Sequence, residues 1–256
     1  LGEALLISCG FCGFLVPADA PVILATPRRS VLQSVEAFQT EYDPRTAELV
    51  IRGRRFEIML AKSLDRFIQP EDPMQGFPLW TKIWESSILL ADHMAGLEPD
   101  PDRRILEIGC GLGLVGIVAA SFGHRVTMTE YDDHALEFAR ANALLNSGPG
   151  PSPEIHKMDW HAPTLRGRFD WIIGSEVIYR ESDFAPLLGL FRAFLRPQGT
   201  ILITAELRKT TMAFLSRMSE DHHVEARKKI FHGNGREIPI AFCTIRPREP
   251  ADPVSL

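Results

Sequence analysis

The stretch Ile105-Leu-Glu-Ile-Gly-Cys-Gly-Leu-Gly-Leu-Val-Gly116 restricts the fold more than any other part of this chain. It starts as a short apolar strand pattern, breaks on alternating glycines, and continues in residues that read as a helix. Gly111, Gly113 and Gly116 meet the GxGxxG spacing directly after the strand and at the opening of the helix, the context in which that pattern carries weight. Glycines there permit a tight turn and let a ligand come close to the backbone. The surrounding pattern extends this unit. Strands are expected at 104–108, 125–130, 154–158, 171–175 and 200–205, with helices at 114–122, 133–146, 184–195 and 212–220 between them. Strands alternating with helices of this length imply a parallel sheet covered on both faces. The rhythm then changes: 224–231 and 238–245 flank His232-Gly-Asn-Gly and read as a β-hairpin. The fold class expected is therefore α/β, a doubly wound Rossmann-like sheet of five parallel strands plus an antiparallel C-terminal pair. A plain dinucleotide-binding sheet would run six parallel strands instead.

Ahead of this unit, 48–60 reads as two strands around a turn at Arg52-Gly53, and 31–39 as a short helical piece. From Trp80 onward Trp84, Ser87, Ile88, Ala91 and Ala95 share one helical face. Prolines mark a linker at 17–27 and a break at 70–78. The organisation expected is a leader over 1–30, a hairpin extension over 31–76, the main domain over 77–248 and a tail over 249–256.

Composition narrows the classes. The 256 residues are 45% hydrophobic and 24% charged, the ordinary globular range. No stretch reaches the roughly 18–20 unbroken apolar residues of a membrane-spanning helix. The net charge of −5 argues against nucleic-acid backbone binding as the main task, and the Arg52/Arg54/Arg55 and Arg227/Lys228/Lys229 clusters read as solvated faces. Cys9, Cys12, Cys110 and Cys243 are too few for a disulfide framework, which points to a reducing compartment and a cytoplasmic location. Cys9-x-x-Cys12 lacks a second pair, and His222, His223 and His232 lack a third ligand, so no metal is expected. Residues 5–16 resemble the apolar core of a signal peptide, but no basic segment precedes them; a mis-set start or loose leader is expected rather than export.

The chemistry gathers at the carboxyl ends of the strands. Glu130 closes the second strand 19 residues after Gly111, where a carboxylate accepts hydrogen bonds from a ribose diol. NAD and S-adenosylmethionine fit to that point equally. Glu107, two residues before Gly109, separates them: its charge would repel a pyrophosphate and suit a ligand carrying a positive ammonium. Asp159 and Trp160 follow the third strand, able to take an adenine amino group and stack on its ring. Gly174-Ser175-Glu176-Val-Ile-Tyr179 leaves the fourth strand and places polar groups at the edge where open α/β sheets bind ligands.

With those residues in place, the chain resembles a seven-strand (class I) S-adenosylmethionine-dependent methyltransferase over roughly 80–246. Glu107-x-Gly109-x-Gly111-x-Gly113, Glu130 and the terminal hairpin all agree. A narrower likeness is to methyltransferase family 16, a group rich in protein-lysine methyltransferases. It lies in the Trp-containing segment Phe77-Pro-Leu-Trp-Thr-Lys-Ile-Trp84, in Asp159-Trp160 and in Glu176-Val-Ile-Tyr179. The resemblance implies S-adenosylmethionine as cofactor. Trp84, the loop of Glu107, Gly109, Gly111 and Gly113, Glu130, Asp159, Trp160 and Ser175 would hold it, with Glu176 and Tyr179 on the acceptor side. It implies methyl transfer to a protein lysine; methylation of a small amine or other metabolite, and a catalytically silent interaction module, are the competing readings. No nucleic-acid or membrane partner is expected.

Overall fold

The computed structural model describes residues 28–68, 77–233 and 236–248. The expected 17–27 linker and the Cys9/Cys12 pair lie outside them. Helix α1 (Arg28–Tyr42) begins inside the expected leader and precedes the hairpin β1 (Arg45–Ile51) and β2 (Arg54–Leu60). The turn between these strands puts Arg52 at φ 47° and Gly53 at φ 80°, the paired left-handed geometry that suits a two-residue hairpin. A 3-10 turn, Leu79–Thr81, then leads into α2 (Glu85–Ala95).

The central unit alternates β3 (Arg104–Ile108), α3 (Leu114–Ser121), β4 (Arg125–Glu130), α4 (Asp133–Leu145), β5 (Glu154–Lys157), β6 (Phe169–Ser175), α5 (Phe184–Phe194), β7 (Leu195–Glu206) and α6 (Lys209–Asp221). Strands β8 (His222–Gly233) and β9 (Arg236–Pro247) close the chain as an antiparallel hairpin. The seven strands run in the order β5-β4-β3-β6-β7-β9-β8, with β5 through β7 parallel and β9 antiparallel to β7. This is the expected architecture, including the hairpin extension.

Alternation along the strands sorts side chains onto two cores. Ile105, Ile173, Leu202 and Phe242 pack with α1 to α4 and the N-terminal hairpin. Their neighbours Leu106, Ile172, Ile201, Ile203 and Cys243 pack with α5 and α6. The chain steps from β3 outward to β4 and β5, then returns to β6 on the other side of β3. At that reversal the loops after β3 and β6 diverge and leave a crevice at the carboxyl edge.

One element departs from expectation. Trp84 is not on a helical face; it is the extended residue before α2, at φ −88° and ψ 145°. Its indole Nε1 donates to the Leu79 carbonyl at 2.9 Å, which ties it to the 3-10 turn after Pro78. The buried face of α2 is accordingly Ser86, Leu90, Ala91, Met94 and Ala95.

Candidate active site

A cavity of about 550 Å³ opens at the crevice. Ten of the residues singled out from the sequence line it: Trp84, Glu107, Gly109, Gly111, Glu130, Asp159, Trp160, Ser175, Glu176 and Tyr179. Gly113 does not. It stands one step behind the wall as the left-handed residue that begins α3, packed toward Met128, Ile117 and Ala139. Among the described residues, no group of three or more His, Cys, Asp or Glu could hold a metal ion.

Glu107 follows Ile105 by two positions and so points to the same face of the sheet, toward the first turn of α3. It is 2% exposed, and its Oε2 has no hydrogen-bond partner. Burial pushes its carboxyl up to about 8; the Gly116 amide works against this, and the charge of Glu130 adds to it. Gly116 is what admits this carboxylate. A Cβ there would stand 2.4 Å from Glu107 Oε2 and 2.5 Å from Met128 Cγ. Gly116→Ala should therefore cost about 1–3 kcal/mol by overpacking and weaken cofactor binding about tenfold. Urea unfolding and a cofactor titration of the variant check both figures.

Glu130 ties the glycine loop to its own strand. Its Oε2 accepts from the Gly111 amide at 2.8 Å, and its Oε1 accepts from the amides of Tyr131 at 2.7 Å and Asp132 at 3.2 Å. A carboxylate offers about four acceptor positions, so three backbone bonds leave room for a ribose hydroxyl. Burial raises its pKa, with the three amides opposing.

The third wall comes from the turn after β5. Asp159 Oδ1 accepts from the His161 amide at 2.8 Å, which fixes the turn that presents Trp160. The Trp160 ring leaves no room beside Gly109, whose added Cβ would lie 3.3 Å from it. Ser175 Oγ donates to Ser86 Oγ at 3.0 Å, joining the end of β6 to α2. Glu176 is a non-glycine residue at φ 50° and is buried. Such backbone strain is retained where the surroundings over-determine it, commonly at working sites. Tyr179 is pushed above the usual tyrosine range by burial and by the nearby Glu176 charge, with Arg208 opposing.

Five buried side-chain polar atoms lack a hydrogen bond among the described residues, and three belong to this cavity: Trp80 Nε1, Glu107 Oε2 and Glu176 Oε2. Such groups are rare and expensive in folded proteins. Glu176 Oε2 is met by the Arg208 guanidinium at 3.1 Å, which leaves Trp80 Nε1 as an open donor and Glu107 Oε2 as an open acceptor on residues lining this cavity, a pairing that suits a polar ligand with a cationic group. The Glu107 carboxylate, with its open Oε2, and the glycine turn that brings Gly109 and Gly111 to the cavity fit S-adenosylmethionine, whose methionine end carries an ammonium group. Sequence reasoning gave Trp80 little weight and passed over Arg208 and Asn142, which support the site through long-range contacts that leave no local spacing to recognise.

Comparison with known proteins agrees with this geometry. The family model described as lysine methyltransferase matches residues 71–221, more than half of the chain. EEF1A lysine methyltransferase 3 of Mus musculus is 30% identical over 179 residues, covering 63% of this chain and 77% of that protein. Protein N-lysine methyltransferase METTL21A of Xenopus tropicalis is 32% identical over 175 residues, covering 65% and 78%. Among solved structures, Pyrococcus horikoshii TYW2 in complex with MeSAdo aligns at a TM-score of 0.51 and 14% identity, over 83% of this chain and 81% of that one. That likeness shows the fold alone. The chain belongs to the lysine methyltransferase family, and its cofactor is S-adenosylmethionine.

Proposed function

We propose that the cavity aligns a protein lysine with the cofactor, and that Glu176 and Tyr179 form its acceptor side. That the enzyme is a protein-lysine N-methyltransferase follows from its family. The observation that carries the site assignment is the gathering of Glu107, Glu130, Glu176 and Tyr179 around one cavity, with Glu107 Oε2 buried there without a hydrogen bond. In this reading Glu107 holds the cofactor's ammonium and Glu130 its ribose. Asp159 and Trp160 hold the adenine, while Trp84, Ser175, Gly109 and Gly111 shape the remainder, and Gly113 sets the turn into α3 behind them.

When bound, the cofactor supplies an electrophilic methyl group on sulfur. The protein's task is to present a neutral amine in line and to exclude water. A free lysine has a pKa of about 10.4, so neutralising it near pH 7 costs roughly 4–5 kcal/mol. Burial in the cavity lowers that cost by disfavouring the ammonium. Glu176 orients the amine through its carboxylate, and Tyr179 closes the channel over the lysine side chain. Glu176→Gln is expected to lower turnover at least tenfold and change cofactor affinity less than threefold. A matching loss of cofactor affinity would make Glu176 a cofactor-binding residue instead.

No helix among the described residues is long and apolar enough to cross a membrane. Cys110 and Cys243 are buried free thiols among the described residues, and the cytoplasmic location rests on the low cysteine content of the chain. The net charge of −5 supports protein rather than nucleic acid as the partner. The 77–248 segment is the methyltransferase domain in this reading, with 31–76 as its hairpin extension. Incubating the enzyme with radiolabelled cofactor and an extract of its host tests the function. A discrete labelled protein band is expected, and label confined to small molecules would move the acceptor to a metabolite.

A further inference from the structure

Arg208 stands outside every sequence motif, yet its guanidinium forms an ion pair with Glu176. It is the residue before α6 and is held there by the backbone: the Met212 amide donates to its carbonyl at 3.1 Å, and the adjacent Leu207 amide donates to Pro239 of β9 at 3.0 Å. Its Nη1 lies 3.1 Å from Glu176 Oε2, and its Nη2 donates to Glu206 Oε2 at 2.9 Å. The first contact is an ion pair whose alignment falls short of a hydrogen bond, so Oε2 keeps its acceptor capacity. Glu176 Oε1 is fixed separately by the Glu206 amide at 2.7 Å. The cavity wall includes Glu176 but not Arg208, which therefore acts from behind the carboxylate.

We propose that Arg208 is a positioning residue for methyl transfer: it compensates the charge of Glu176, so that Glu176 orients the lysine amine without stabilising its protonated form. The inference rests on the acceptor-side reading of Glu176 given above. Its physical basis is simple. A lysine attacks only as the neutral amine, through its nitrogen lone pair, after its extra proton has left to solvent. An uncompensated carboxylate beside that nitrogen would favour the ammonium and raise its pKa. A carboxylate already paired with a guanidinium still offers a lone pair but a much weaker field. The Glu206 amide holds Oε1 and so fixes the plane of the carboxylate, with Oε2 beside Arg208.

The other ionisable groups lining the cavity with Glu176 are Tyr179, Arg180 and Asp183 on its own loop, Glu107 from β3, Glu130, Tyr131 and Asp132 at the end of β4, Asp159 and His161 after β5, and Lys82 ahead of α2, with Glu206 beside Arg208 behind them. They are common to every variant below, so differences between variants report the Glu176–Arg208 pair.

The test follows the initial rate of labelling of the host-protein band across neutral to alkaline pH, at saturating radiolabelled cofactor. Arg208→Gln should move the rate profile toward alkaline pH by about one unit, a roughly tenfold loss at neutral pH that recovers as pH rises. Glu176→Gln leaves Arg208 paired with Glu206 alone and should move it the opposite way, with a lower plateau. The double variant should return the profile close to its original position, and Arg208→Lys should hold it there. Cofactor affinity, measured by direct titration, should stay within threefold for Arg208→Gln. An unmoved profile in Arg208→Gln, or an equal loss at every pH, would overturn the inference and leave Arg208 a structural residue. If Arg208→Gln fails to fold, the double variant and Arg208→Lys decide: a shifted profile in either also overturns it. Absence of any labelled protein band with the unaltered enzyme would instead be a failure of the acceptor reading itself.

Discussion

Replacing Glu107 with Gln should weaken cofactor binding at least a hundredfold and at the same time stabilise the ligand-free enzyme at neutral and alkaline pH. The first effect follows from the proposed contact of this buried carboxylate with the cofactor's ammonium; losing one partner of a desolvated charge pair costs about 2–5 kcal/mol. The second follows from the state of Glu107 without ligand. Burial raises its carboxyl from 4.5 in the unfolded chain to about 8, so the folded protein holds this proton more tightly than the unfolded one does. Stability from this group is complete below the unfolded value and declines as pH rises toward the folded one, by a total on the order of 5 kcal/mol. Unfolding of the ligand-free enzyme in a pH series should show that decline, and Glu107→Gln should be flatter across the same window. Binding a cation beside Glu107 favours its ionised form, so cofactor binding near neutral pH should release a proton, detectable by calorimetry in buffers of different ionisation heat. Binding within threefold of the original, or an identical pH slope in the variant, would contradict the assignment.

The second large effect is expected at Asn142, far from any motif. Asn142 is fully buried on α4, accepts from the Met59 amide at 2.8 Å, and donates to the carbonyls of Met59 at 3.2 Å and Leu112 at 3.0 Å. One turn later Asn146 repeats the pattern, accepting from the Glu57 amide at 3.0 Å and donating to its carbonyl at 2.7 Å. These two amides satisfy the edge of β2 as a neighbouring strand would. Leu112 lies within the glycine loop, so Asn142 also links the hairpin to the cofactor wall. Asn142→Leu keeps the branching at Cγ but strands three backbone groups, at about 1–3 kcal/mol each. The expected loss is about 3–9 kcal/mol in urea unfolding, with weakened cofactor binding. Asn146→Leu, at a less buried position, should cost about half as much. A loss below about 1 kcal/mol for Asn142→Leu would mean that packing alone seats the hairpin.

These two residues also show what a sequence can and cannot display. Glu107 was legible because strand, glycine turn and helix are contiguous, and a carboxylate at that step has a meaning set by local geometry. The strand and helix bounds were legible for the same reason: alternation and helical period are local properties, and the structure extends most elements by only a few residues. Trp84 was misplaced because its apolar spacing continues the helical pattern of α2, while the bond from its indole to Leu79 belongs to the preceding turn. Asn142, Ser86 and Arg208 were not legible at all. Each acts on a partner distant in sequence or in a separate element, and an asparagine inside a helix or an arginine before one carries no spacing that announces such a contact.

The most direct test of the central claim is the position of the transferred methyl group. The labelled host protein would be digested, and the modified residue located by fragment mass spectrometry, with Glu107→Ala enzyme as the control. The account predicts methyl groups on the side-chain nitrogen of a lysine, present with the unaltered enzyme and missing from the control. Methylation of another residue type, or of lysine to the same extent in the control, would contradict it.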